Sequence, residues 1–213
     1  MIGSDFRWQG NSLNFFQRER AEQPVFIVSG LPRSGTSLMM MMLEAAGIEP
    51  LTDFERQADA DNPKGYYEFE RVKKMKDGDL GWLDAAHGKV VKVISALLSF
   101  LPQNHSYKII FMRRDMDEIL ASQQKMLVNR GETPKDISDE EMGGLFGKHL
   151  AKITEWLREQ PNIQTLDIDY NLLLKDPAPQ VEEIQRFLGR KLDTARMISV
   201  IDPKLYRQQR QGK

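Results

Sequence analysis

The chain predicts a three-layer α/β fold, a central and mostly parallel sheet with helices on both faces. Two observations carry that expectation. Short apolar runs alternate with helix-period segments along the chain, the pattern of parallel strands joined by crossover helices. The best of these runs is apolar without alternation, as a strand covered on both faces must be.

The first strand is "PVFIVSG" (residues 24–30), a continuous apolar run closed by glycine. "TSLMMMMLEAAG" (residues 36–47) follows as a helix, with strong helix formers, no proline, and Gly47 where a C-terminal cap belongs. Its four consecutive methionines leave no polar face, so it is expected in the core. The next stretch, residues 48–79, is polar and rich in turn residues, with a helix expected over 68–76. A second strand is expected at 90–94 and a third at 107–115, "YKIIFMRRD". A helix follows directly. Asp115 and Glu118 have capping-box spacing, and Met116, Ile119, Leu120, Met126 and Leu127 form one apolar stripe. After a polar excursion, a helix near 140–160, a strand at 163–170 and a capped helix at 178–189 complete the alternation.

One domain is expected over 24–213, with polar excursions at 51–67 and 129–147; residues 1–23 read as a tail or a short packed helix. A net charge of −1 offers no basic field for nucleic acid or an anionic membrane. The chain has no cysteine, which excludes disulfides, thiolate metal sites and cysteine nucleophiles. Its three histidines, His87, His105 and His149, are widely spaced and are not expected to build a metal site. No apolar stretch is long enough to span a bilayer and no signal core opens the chain, so a cytoplasmic location is expected.

The chemistry concentrates at "GLPRSGTS" (residues 30–37), between the first strand and its helix. Unpartnered backbone N–H groups at a helix N-terminus, together with the helix dipole, favour an anion there. Gly30 and Gly35 have the spacing of a phosphate-binding loop, which makes the fold P-loop-type. Ser34, Thr36 and Ser37 add hydroxyls, and Arg33 is the loop's cation. Thr36 stands where a nucleoside-triphosphate loop has lysine, and threonine cannot neutralise a triphosphate. The loop suits one phosphate beside a second anionic group.

These residues resemble the phosphosulfate-binding loop of sulfotransferases, in the PRSGT form shared by tyrosylprotein sulfotransferases and small bacterial members. "FMRRDMDEILASQ" (residues 111–123) resembles the same family's 3′-phosphate segment: Arg114 ends a strand and Ser122 follows eight residues later. "DYNLLLKDPAPQVEEIQRFLG" (residues 169–189) is similar to its late strand and helix. The resemblance implies 3′-phosphoadenosine 5′-phosphosulfate as co-substrate, 3′-phosphoadenosine 5′-phosphate as product, and no metal. It implies that Arg33, Ser34, Gly35, Thr36 and Ser37 hold the phosphosulfate and that Arg114 and Ser122 hold the 3′-phosphate. Arg113 is left to pair with a carboxylate. The acceptor would be a small molecule or carbohydrate.

The chain also departs from the family. Lys92 matches a strand lysine that steadies the bridging oxygen, but Ile94 stands where cytosolic members carry histidine. The base must then be another group: Glu55 and Glu68 are candidates, with His87 a third. The family's C-terminal Arg-Lys-Gly loop is missing, and Arg207 or Arg210 is the substitute the tail offers. Two other readings stay open, a phosphotransferase or NTPase on the same loop and a nucleotide binder without activity.

Overall fold

The computed structural model describes residues 23–53, 65–129, 131 and 137–202. In chain order it contains β1 (Val25–Gly30), α1 (Thr36–Ala45), α2 (Glu70–Lys73), β2 (Val90–Lys92), β3 (Tyr107–Arg113), α3 (Met116–Asn129), α4 (Asp139–Glu159), β4 (Ile163–Asp169), α5 (Tyr170–Lys175), α6 (Pro177–Leu188) and α7 (Thr194–Ser199). The four strands run parallel in the order β2-β1-β3-β4.

β1 is buried at every residue, and its side chains alternate between two cores. Phe26 and Val28 meet the methionines of α1, Ile184 and Leu188 of α6, and Met197 of α7. Val25 and Ile27 face the opposite layer, with Ile153 and Leu157 of α4, Trp82 and Leu98. Met39, Met40, Met42 and Leu43 are fully buried, which fits a helix without a polar face. The chain leaves β1 for β2 on one side, while β3 lies on the other. That reversal opens a crevice at the carboxyl ends of β1 and β3, where parallel sheets bind ligands.

Several boundaries differ from the sequence reading. β2 stops at Lys92, although the Val93 N–H still reaches the Val28 carbonyl at 3.0 Å. Pro50 adds a single parallel bridge along its outer edge. The helix expected at 68–76 is one turn, α2, followed by a 3-10 turn at Met75–Asp77. The excursion expected to run to residue 147 ends earlier. Ser138 accepts from the Glu141 N–H at 3.2 Å and Glu141 reaches back to the Ser138 N–H at 3.1 Å, a capping box that starts α4 at Asp139. Glycines at 143, 144 and 147 look like loop residues in sequence, yet the cap and the apolar stripe behind them keep this segment helical. Most of the excursion over 51–67, and the tail expected at 1–23 apart from Gln23, lie outside the described residues.

Candidate active site

The loop after β1 is shaped by three residues in the left-handed region: Gly30 (φ 146°), Arg33 (φ 73°) and Gly35 (φ 99°). Arginine is disfavoured there by its Cβ, at a cost of about 1–2 kcal/mol, so something must hold it. Arg114 does so: its Nη1 donates to the Arg33 carbonyl at 2.9 Å. The Arg33 side chain turns the same way, and its Nε donates to Ser122 Oγ at 3.0 Å. The two segments that sequence reading singled out, more than 80 residues apart, thus form one continuous mouth at the ends of β1 and β3.

The segment expected to hold the phosphosulfate and the one expected to hold the 3′-phosphate are in direct contact. Arg33 leans on Ser122, and so reaches the segment expected for the second phosphate. Arg114 also has a structural task. Its Nε donates to Glu118 Oε2 at 2.9 Å, in a pair whose side chains are only 7% and 5% exposed. Asn171 Nδ2 donates to the other Glu118 oxygen at 3.1 Å. The guanidinium stacks on the Tyr170 ring, 4.6 Å from its centre. Among the described residues, Arg114 Nη2 has no protein acceptor, which leaves its two N–H groups for a ligand. Glu118 therefore serves the arginine cluster in addition to its place in the first turn of α3, where Asp115 caps the Asp117 N–H at 3.0 Å.

α1 begins with Gly35 as its cap, no side-chain capping bond and no acidic residue in its first turn. Its leading N–H groups and dipole stay directed at the crevice. Thr36 is nearly buried, and Ser34 Oγ is fully buried with no hydrogen-bond partner among the described residues. Such an orphan hydroxyl is uncommon in a folded protein and fits a loop built to close on an anion.

Lys92 projects from the end of β2 to the same rim. Its Nζ lies 3.5 Å from Ser37 Oγ and also contacts the Tyr66 carbonyl. Ser37 Oγ in turn lies 3.5 Å from that carbonyl, so the irregular segment at 65–69 covers the rim. Ile94, where the resemblance sets a histidine in cytosolic members, is 38% exposed. Of the base candidates, Glu68 is engaged by Lys73 Nζ at 3.1 Å, while its backbone carbonyl accepts from Thr52 Oγ1 at 2.7 Å. The Glu70 carboxylate first, and Glu68 with it, hold the Lys73 ammonium above the usual lysine range. His87 lies at the other end of the sheet, bridged to Val25 at the start of β1, and is not brought to the loop. Glu55, Arg207 and Arg210 lie outside the described residues. Arg113 points away from the mouth, paired with Asp167 Oδ1 at 2.9 Å and stacked over Phe111.

A family model described as "Sulfotransferase domain" matches residues 23–211. The chain belongs to the sulfotransferase domain family. This sulfotransferase is similar in structure to the sulfotransferase STF1 from Mycobacterium tuberculosis H37Rv, at 18% identity over 88% of this chain and 73% of that one, with a TM-score of 0.58. It is also similar to the sulfotransferase domain from the curacin biosynthetic pathway, at 13% identity over 84% and 78%, with a TM-score of 0.53. Both likenesses are of fold. No curated protein matches the sequence. Among its described residues, no helix is long and apolar enough to cross a membrane.

Sequence reading missed Tyr170 and Glu118 as parts of this site. Glu118 was legible in principle, four residues after Arg114 and on the same face of a helix start. Tyr170 was not, because its contacts with residues 35 and 114 depend on where β4 pairs.

Proposed function

We propose that this sulfotransferase transfers the sulfonate of 3′-phosphoadenosine 5′-phosphosulfate to a hydroxyl or amine of a small-molecule or carbohydrate acceptor, in the cytoplasm. The observation that carries the reading is the junction of the two anion-binding segments, made by Arg33 with Ser122 and by Arg114 with the Arg33 carbonyl. An anion at the α1 N-terminus and a second one beside Ser122 would lie along one surface, as a doubly phosphorylated adenosine requires. The buried hydroxyl of Ser34 fits the same co-substrate, since it lies beside Gly30 with no hydrogen-bond partner among the described residues.

The nucleotide supplies a sulfonate on a good leaving group, and the remaining work belongs to the chain. The N–H groups of Thr36 and Ser37, with the hydroxyls of Ser34, Thr36 and Ser37, bind the 5′ end. Arg33, Ser122 and Arg114 Nη2 bind the 3′-phosphate, with charge-assisted bonds worth about 1.5–3 kcal/mol each. Lys92, beside Ser37, stabilises the negative charge that builds on the departing phosphate oxygen. A carboxylate, Glu55 or Glu68, takes the acceptor's proton as the new bond to sulfur forms. Arg207 adds a further contact to the 3′-phosphate.

Thermal shift separates this reading from the alternatives. 3′-Phosphoadenosine 5′-phosphate should raise Tm, while AMP and magnesium-ATP should leave it nearly unchanged. A preference for magnesium-ATP would instead favour a phosphotransferase. Calorimetry should show Arg33→Ala and Ser122→Ala each weakening the product nucleotide by about tenfold or more, which is about 1.4 kcal/mol. Wild-type affinity in both would remove the basis of the assignment. Lys92→Met should lower kcat by about a hundredfold and change product-nucleotide affinity by less than about threefold, since its role lies in the transition state.

A further inference from the structure

The amino ends of the strands, opposite the loop, bring together two of the three histidines. His87 precedes β2, His105 precedes β3, and Asp84 lies in the 3-10 turn Leu83–Ala86 just before them. We propose that Asp84, His87 and His105 form a binding site for a zinc ion, separate from the transferase centre.

The ligand atoms of the three residues all lie within 4.8 Å of one another. His87 Nδ1 lies 2.6 Å from the Gln23 carbonyl, an acceptor only, so Nδ1 carries the proton and donates it. That fixes the tautomer and leaves Nε2 with its lone pair, the arrangement by which proteins prepare a metal-binding histidine. His87 Nε2 lies 3.1 Å from His105 Nδ1. Two nitrogens bound to one tetrahedral zinc at about 2.0–2.1 Å lie about 3.3 Å apart, so the spacing already suits a shared ion and the rings need only turn to aim both lone pairs at it. The proton now between them, on His105 Nδ1, passes by way of solvent to His105 Nε2 when the ion enters, so both rings stay neutral. Asp84 Oδ1 lies 3.9 Å from His105 Nε2, the ring nitrogen turned away from His87; its side chain is 87% exposed, so it can swing toward Nδ1 to complete a two-histidine, one-carboxylate set. Water fills the fourth position.

The cluster has no reach to the chemistry. β1 separates His87 from the loop by six residues, about 20 Å at the rise of a strand. Its neighbours are backbone: His87 bridges to Val25, the Gly88 N–H donates to the Pro24 carbonyl at 3.1 Å, and Asn162 Nδ2 donates to the His105 carbonyl at 2.8 Å. An ion here would tie the entry of β1 to the entries of β2 and β3.

The test titrates zinc into chelator-treated full chain by calorimetry, with magnesium as a control. One zinc per chain is expected at about micromolar affinity or tighter, with no magnesium binding. At a zinc excess of about a hundredfold over Kd, Tm should rise by about 5 °C or more. His87→Ala and His105→Ala should each weaken zinc about a hundredfold, and Asp84→Asn about tenfold, while His149→Ala should leave it unchanged. Asp84 is exposed, so its variant will fold if either histidine variant does not. Cobalt should give the visible absorption of a tetrahedral complex in the wild type and lose it in the histidine variants. No zinc uptake, or uptake that is unchanged in Asp84→Asn and in whichever histidine variants fold, would overturn the proposal.

Discussion

Arg114→Ala is expected to destabilise the protein by about 3–5 kcal/mol, the cost of leaving one partner of a buried ion pair alone. Glu118 would remain 5% exposed beside Asn171, without the Arg114 guanidinium. The Arg33 carbonyl would lose its donor as well, about a further 1 kcal/mol, at a residue already held in the left-handed region. Urea denaturation at constant m-value measures the effect. A double variant, Arg114→Met with Glu118→Met, separates pair loss from charge loss, because apolar replacement of a buried pair is often neutral. It should be about 2 kcal/mol more stable than the sum of the single changes predicts. A loss below about 1 kcal/mol in Arg114→Ala would mean that solvent screens the pair and that Arg114 does not clamp the loop. Nucleotide binding should fall in Arg114→Ala too, but through two routes, the lost Nη2 donor and the released loop. Arg33→Ala and Ser122→Ala are therefore the cleaner probes of contact.

The fold was legible because its signals are local. An unbroken apolar run, a glycine and a methionine-rich helix without a polar face specify β1 and α1 wherever they sit in the sheet. Edge elements were read less well. β2 has three residues in regular pairing, and no periodicity distinguishes three from five. At the site, residue types and spacing pointed to the loop and to Arg114 with Ser122, since each is a short-range pattern. The meeting of Arg33 with Ser122 could not be read, because it depends on β1 and β3 pairing in the register Gly30 to Met112. The same holds at the other end of the sheet. His87 and His105 are 18 residues apart and look unrelated in sequence, yet they precede two strands that both flank β1. A parallel sheet gathers its strand starts at one edge and its strand ends at the other, so residues distant in sequence meet at either.

Gly35→Ala is expected to abolish nucleotide binding, with a loss of about a hundredfold or more, and to cost several kcal/mol of stability. Two causes act together. Gly35 has φ 99° and ψ 12°, which costs an alanine about 1–2 kcal/mol even in open space. The space is not open: a Cβ there would lie 2.3 Å from Tyr170 Cδ2 and 2.7 Å from Cε2. The ring cannot withdraw cheaply, because Tyr170 is 5% exposed and carries the Arg114 guanidinium on its face. The loop must lift instead, and the N–H groups of α1 lift with it. The two causes can be measured apart. In a Tyr170→Ala background the clash is gone, so Gly35→Ala should there cost only the backbone term, about 1–2 kcal/mol by urea denaturation. Equal costs in both backgrounds would show that the tyrosine ring is not the floor of the loop. A smaller cost in the Tyr170→Ala background would tie the glycine to close packing as well as to its backbone angle. That is the reason a phosphate loop on this sheet needs glycine at the very start of its helix.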